Sequence, residues 1–179
     1  PSFVIDNGNI VFAGIDGLYI IDEATGNSTT QYLYNNNTAC STIKVDANNN
    51  YAILGREING SFFIIQMSKT GTVISTTNLN MNARDMETVN DGYIVVGDNG
   101  TNAVVKKIAF DGSETWVQVY NTGAFHSVLA ESNNFVISGN NGTDVTLTKI
   151  NNTGTLLFVK NYSDKIALNT RTKIIHTNS

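Results

Sequence analysis

The sequence predicts an all-β fold, a β-propeller-like array of four four-stranded antiparallel blades, either complete or part of a larger propeller. Three observations carry this. An aromatic or aliphatic run closes on a glycine at Gly14, Gly55, Gly97 and Gly139, with spacings of 41, 42 and 42 residues. Each copy holds three or four short runs rich in Val, Ile, Phe, Tyr and Thr, residues that suit a pleated, half-buried surface. No stretch sustains helical spacing of apolar residues. Self-similarity at about 40–50 residues marks propellers and solenoids. A lone sheet of this size cannot bury both faces, and stacking neighbouring sheets face to face does.

The third and fourth copies align best. Tyr93–Gly97 matches Phe135–Gly139, Lys107-Ile108 matches Lys149-Ile150, Gly112 matches Gly154, Trp116 matches Phe158 and Tyr120 matches Tyr162, all at an offset of 42. The second copy runs through Tyr51–Gly55, Phe62–Met67 and Gly71, and the first through Ile10–Gly14, Leu18–Ile21 and Gly26. The copies therefore cover about residues 1–40, 41–84, 85–125 and 126–168, with 169–179 starting a fifth. In the third copy the strands are expected near 86–90, 92–97, 103–110 and 115–120, and the fourth opens near 126–131. Asn59-Gly60, Asn99-Gly100 and Asn141-Gly142 fall between second and third strands, where both central residues of a tight hairpin turn take positive φ. Thr70-Gly71, Asp111-Gly112 and Thr153-Gly154 serve the following hairpin. Trp116 and Phe158 read as inter-blade core.

The stretches DGYIVVG…AVVKKIAFDGSETWVQVY and NNFVISG…VTLTKINNTGTLLFVKNY resemble the blade repeats of secreted propeller proteins from bacteria and archaea. Those repeats carry a strand ending in glycine, a lysine strand, a glycine turn and a tryptophan strand. The resemblance covers nearly the whole chain and implies architecture rather than a single function. The first two copies lack the lysine and the tryptophan.

Composition narrows the function. The chain has 179 residues, of which 15% are charged, against about 25% in an average domain. Asparagine (26) and threonine (21) supply polarity instead. A net charge of −4 with scattered Lys and Arg excludes a nucleic-acid groove. No apolar run approaches the ~18–20 residues of a membrane span, so no membrane insertion is expected. Cys40 is the only cysteine, so no internal disulfide forms. The chain does not begin with methionine, which reads as a processed form or a piece of a longer protein.

Seven Asn-x-Ser/Thr sequons occur, at Asn27, Asn36, Asn59, Asn99, Asn141, Asn151 and Asn161. They read as glycosylation sites, or as the product of composition, since chance pairing gives roughly five.

In a propeller, loops joining second and third strands share a face with the blade-to-blade connections. That face would carry Arg56 and Glu57, Asp98 and Asn99, Asn140 and Asn141, with Arg84, Asp85, Phe125 and His126 from the connections. These positions differ most between copies, as a binding surface would, or as solvated loops drift. Zinc spacing is absent, and Asp98-Asn99-Gly100 lacks the further oxygens of a calcium loop, so no metal or cofactor is expected. His126 and Ser127 are adjacent in a strand and face apart, so they form no dyad. Asp85 and Glu87 share a face, the arrangement glycoside cleavage uses, though solvated strand ends look the same.

The expectation is a non-catalytic extracellular or cell-surface module that binds a glycan, a peptide or a partner protein through loops on one face. One alternative is a structural or assembly subunit that self-associates through the strand at 172–177. A glycan-cleaving enzyme is the least favoured.

Overall fold

The computed structural model describes residues 2–33 and 38–163. All regular structure there is strand, and no helix is long and apolar enough to cross a membrane. Sixteen strands form four sheets, each antiparallel and in chain order. Blade 1 holds β1 (Phe3–Asp6), β2 (Asn9–Ala13), β3 (Gly17–Asp22) and β4 (Ser28–Leu33). Blade 2 holds β5 (Thr38–Val45), β6 (Tyr51–Glu57), β7 (Phe62–Met67) and β8 (Val73–Asn78). Blade 3 holds β9 (Asn82–Val89), β10 (Gly92–Asp98), β11 (Asn102–Ala109) and β12 (Glu114–Thr122). Blade 4 holds β13 (Ala124–Glu131), β14 (Asn134–Asn140), β15 (Val145–Asn151) and β16 (Leu156–Tyr162). The expected fifth opening strand at 172–177 lies outside the described residues. Two compact units result, Pro1–Asn80 with blades 1 and 2, and Met81–Ser179 with blades 3 and 4.

Burial follows strand position. All seven residues of β10 are buried, as are the first five of β6, whereas β2 and β14 keep half-buried positions. The fourth strand β16 is exposed throughout. In the first unit, Val11, Ala13, Leu18 and Ile20 of blade 1 pack against Ile43, Tyr51, Ile53, Phe63, Ile65 and Met67 of blade 2. In the second, Ile94, Val96, Ala103 and Val105 of blade 3 meet Phe125, Val128, Phe135, Ile137 and Ile150 of blade 4. Each Val, Leu, Ile, Phe or Met among them contributes about 1.5–3 kcal/mol by leaving water.

Polar ties reinforce both sheet pairs. Asp6 at the end of β1 accepts hydrogen bonds from the Tyr51 hydroxyl (2.8 Å) and the Lys69 ammonium (2.6 Å). The Lys69 nitrogen also lies 3.7 Å from the centroid of the Tyr51 ring. In the second unit the Asp85 carboxylate accepts from the Ser127 hydroxyl (3.0 Å) and the Val128 amide (3.1 Å), joining blade 3 to blade 4.

The glycine that closes each second strand has a steric cause in all four copies. A Cβ on Gly14 would come within 2.7 Å of the Tyr19 ring, and the other three glycines lie opposite a bulge. Opposite Gly55, Gly97 and Gly139 the opening strand carries one extra residue: Ser41, Arg84 and His126. At each of these β-bulges the opening strand crosses close to the glycine. A Cβ on Gly97 would overlap the Asn82 carbonyl, and one on Gly139 the Ala124 carbonyl. A Cβ on Gly55 would come within 2.8 Å of the Phe63 ring. The bulge also explains a difference from the sequence reading. Pairing resumes beyond it, so β9 starts at Asn82 rather than near 86, and β13 at Ala124 rather than near 126.

The Asn-Gly turns also differ from expectation. Only the glycine is left-handed, at φ +98° in Gly60, +93° in Gly100 and +96° in Gly142. Asn59 lies inside its turn, which the Gly60 N–H closes onto the Glu57 carbonyl, whereas Asn99 and Asn141 precede theirs and their side-chain oxygens accept backbone N–H groups. Asn99 takes those of Thr101 and Asn102, and Asn141 those of Thr143 and Asp144. An asparagine held this way closes the loop through its side chain and needs no positive φ of its own. The doubly left-handed Asn-Gly hairpin does occur, at Asn7 (φ +50°) and Gly8 (φ +75°), between β1 and β2.

These geometries separate two kinds of glycine. Gly97→Ala forces a methyl into the facing backbone and is expected to lose more than about 2 kcal/mol. Gly100→Ala meets open space and bears only the left-handed penalty, about 1–2 kcal/mol. Denaturant midpoints of the two variants measure the difference, and equal losses would contradict the steric account.

Candidate functional site

The two bulges of the second unit aim side chains at equivalent partners. Arg84 turns its guanidinium onto Asp98, with Nε at 3.0 Å and Nη2 at 2.8 Å from Oδ2. The other oxygen, Oδ1, accepts from the Asn82 amide (2.7 Å) and the Gly100 backbone N–H (2.9 Å). The Asp98 side chain is only 8% exposed. Burial alone would raise its pKa. The hydrogen bonds from Asn82, Arg84 and Gly100, with the guanidinium charge, outweigh that and hold it below the usual carboxylate value. At the same place in blade 4, His126 Nε2 lies 2.9 Å from the side-chain nitrogen of Asn140, the repeat counterpart of Asp98.

The structure thus joins Arg84 to Asp98 and His126 to Asn140, each pair within its own blade. Asp85 is engaged in the tie to Ser127 and Val128, and Phe125 is buried, 5.3 Å edge-on from the Tyr120 ring. Arg56 and Glu57 belong to the first unit. Arg56 is exposed and sits over the Phe62 ring at 5.3 Å, and Glu57 accepts from the Asn59 amide at 2.6 Å. Among the sequons, Asn59, Asn99, Asn141 and Asn151 each close a turn through the side-chain oxygen. Asn27 and Asn161 are exposed, and Asn36 lies outside the described residues. No group of three or more His, Cys, Asp or Glu able to hold a metal occurs among the described residues.

A cleft of about 490 Å³ opens between blade 3 and blade 4. Tyr120 and Phe125 give it an aromatic side, Thr146 and Thr148 of β15 a hydroxyl wall, and Asn140 and Asn161 amide rims. Ala103, Val119, Leu156 and Val159 supply the aliphatic remainder, with Asn141 at the hairpin. The Tyr120 hydroxyl donates to the Gly154 carbonyl at 2.8 Å, and burial pushes its pKa up to about 12. Of the residues expected at a site, the cleft takes Phe125, Asn140 and Asn141. Tyr120, Thr146, Thr148 and Asn161 were not anticipated as a group. Their one sequence signal is that Thr146, Thr148 and Asn161 follow Val104, Lys106 and Val119, so polar residues stand where the third copy is largely apolar.

No protein-family model matches the chain, and no curated protein matches it. Solved structures do. The chain is similar to a protein of unknown function from Bacteroides caccae at 15% identity and a TM-score of 0.62, over 89% of this chain and 60% of that one. It is similar to the β-propeller domain of Cps50 (Swd1) from Myceliophteria thermophila at 10% identity and a TM-score of 0.68, over 96% and 57%. It is also similar to the dihydro-heme d1 dehydrogenase NirN at 8% identity and a TM-score of 0.61, over 88% and 36%. At these identities the likeness is one of fold, and it assigns the four blades to the β-propeller class. The chain spans well under two thirds of each of these structures.

The Asp98 cluster has a pH signature. Its folded-state pKa lies below the ordinary 3.8, so the unfolded chain holds the proton more tightly. The stabilisation is complete above about pH 4 and is lost as pH falls through the folded value. The stability gap between wild type and Asp98→Asn should therefore be widest at neutral pH and narrow on acidification, as read from urea midpoints. A gap independent of pH would rule out the ionised carboxylate as the source.

Proposed function

We propose that the chain is a non-catalytic binding module of an extracellular or cell-surface propeller protein, and that its ligand is a neutral glycan taken into the cleft between blades 3 and 4. The observation that carries this is the chemistry of the walls: amides, hydroxyls, aliphatic carbons and two aromatic rings, with no carboxylate and no cation among them. Sugars are recognised by that combination, their C–H faces against rings and their hydroxyls against amides. Cleavage would need a pair of carboxyl groups of opposed protonation. The carboxylates near the blade ends, Asp85 and Asp98, are engaged by Ser127 and Val128 and by Arg84 and Asn82. The low charge and the sequons support placement outside the cell. A sugar attached at Asn161 would fill the cleft, so modification there and ligand binding exclude each other.

Calorimetric titration with a panel of neutral oligosaccharides tests the proposal. Saturable binding is expected, weakened at least about tenfold by Val159→Lys in the cleft and untouched by Val73→Lys on the exposed face of β8. An absence of heat across the panel would remove the glycan. The appearance of new reducing ends would turn the reading into an enzyme.

A protein partner is the second reading, favoured by the hairpin loops of the first unit. Ile58 and Ile15 are 84% and 70% exposed there, next to Arg56 and Glu57. Exposed apolar tips flanked by charge are what interfaces bury. Ile58→Asp should abolish co-purification of such a partner and leave the unfolding midpoint unchanged. Retained co-purification would count against that surface.

A further inference from the structure

Two threonines in the cleft between blades 3 and 4 carry hydroxyls that the fold leaves unused. Thr146 and Thr148 are 6% and 2% exposed, on the face of β15 that also carries Ile150 and looks onto blade 3. Neither hydroxyl has a hydrogen-bond partner among the described residues, and neither is sealed from the cleft. A nearly buried hydroxyl without a partner is costly, and a ligand that brings one removes the cost. Blades 3 and 4 supply both walls, so the cleft is an interior feature of the second unit.

Strand register sorts the blade 4 wall into two rows. Asn161, Thr146 and Gly139 lie side by side, and two residues along so do Val159, Thr148 and Ile137. Residues two apart on one face of a strand stand about 7 Å from each other, comparable to a pyranose ring with its substituents. The first row is polar and ends at the exposed amide of Asn161. The second is aliphatic around one hydroxyl. Val159 keeps 47% of its surface exposed beside Thr148, as does Leu156 opposite Ile150.

We infer that the cleft selects an N-acetylated sugar and seats its acetamido group on the second row. The inference rests on the glycan reading above and adds the class of sugar. An acetamido group carries a methyl and an amide in one planar unit. The methyl covers Val159 and Leu156, and the carbonyl oxygen accepts from the Thr148 hydroxyl. The ring hydroxyls then meet Thr146 and Asn161 in the polar row. An unsubstituted hexose sets a hydroxyl against the aliphatic side chains. A 6-deoxy sugar brings a methyl but no amide for Thr148. A free amino sugar is a cation and finds no carboxylate on the cleft walls.

Calorimetric titration of the full chain with chitotriose and cellotriose tests it, since the two differ only in carrying acetamido or hydroxyl groups at the same ring carbon. Chitotriose is expected to bind at least about tenfold more tightly. Val159→Ser should bring its affinity down towards that of cellotriose. Thr148→Val should weaken chitotriose about tenfold, and Thr148→Ser, which keeps the hydroxyl, should not. The unfolding midpoint of Thr148→Val gives a check that needs no ligand. With no partner to lose, it should stay level or rise. A lowered midpoint would mean that the hydroxyl serves the frame, and would overturn the inference. Equal affinities for the two trisaccharides, or tighter binding of a rhamnose trisaccharide, would also overturn it and leave the glycan reading standing. Silence from every neutral oligosaccharide would instead remove the glycan reading, and the choice of sugar with it.

Discussion

A four-stranded sheet whose central strands are apolar on both sides cannot stand alone in water. Everything else here follows from covering those two faces with neighbouring sheets. The all-buried β10 is the clearest case: its odd and even residues both need cover, and blade 4 supplies it to Ile94 and Val96. Covering also sets the gradient across each blade, from buried second strand to exposed fourth strand. The repeat is therefore a repeat of packing needs. Its most constant positions are those facing another blade, and its freest are the loops at the blade ends.

The closing glycine is where packing need and loop chemistry meet. Its missing Cβ lets the opening strand cross close by, and the crossing is achieved with one extra residue. That residue is freed from the alternation of the strand and aims back over the blade end. In blade 3 it is Arg84 and finds Asp98, and in blade 4 it is His126 and finds Asn140. One backbone irregularity thus carries different side-chain chemistry in successive blades at no change to the frame. The charged version stiffens the end of blade 3 by fixing a nearly buried carboxylate from four donors.

Engagement of those charges shapes what the surface can do. With the carboxylates of Asp85 and Asp98 tied into the frame, the space left between blades 3 and 4 is lined by neutral groups. Such a lining offers amides, hydroxyls, aliphatic carbons and two aromatic rings. The aromatic pair Tyr120 and Phe125 both closes the core and forms one side of the cleft.

The sequence by itself determined the blades. The period of about 42 residues, the β-branched and aromatic runs, and the glycines at fixed offsets all record local needs of strand and turn, and these are written in neighbouring residues. It also placed Asp85 and Glu87 on one face, because strand alternation is local too, whereas His126 sits on the bulge, where alternation breaks. Only the tertiary structure decided the partners. Arg84 meets Asp98 through a register shift that no spacing announces, and Tyr120 meets Gly154 across two sheets. Asn99 and Asn141 look like central turn residues in sequence, yet their side chains cap the loop from outside it. In each of these the outcome depends on where a strand slips by one residue or where a neighbouring sheet arrives. Those are properties of the assembled packing, and a linear pattern carries the need for cover without naming what provides it.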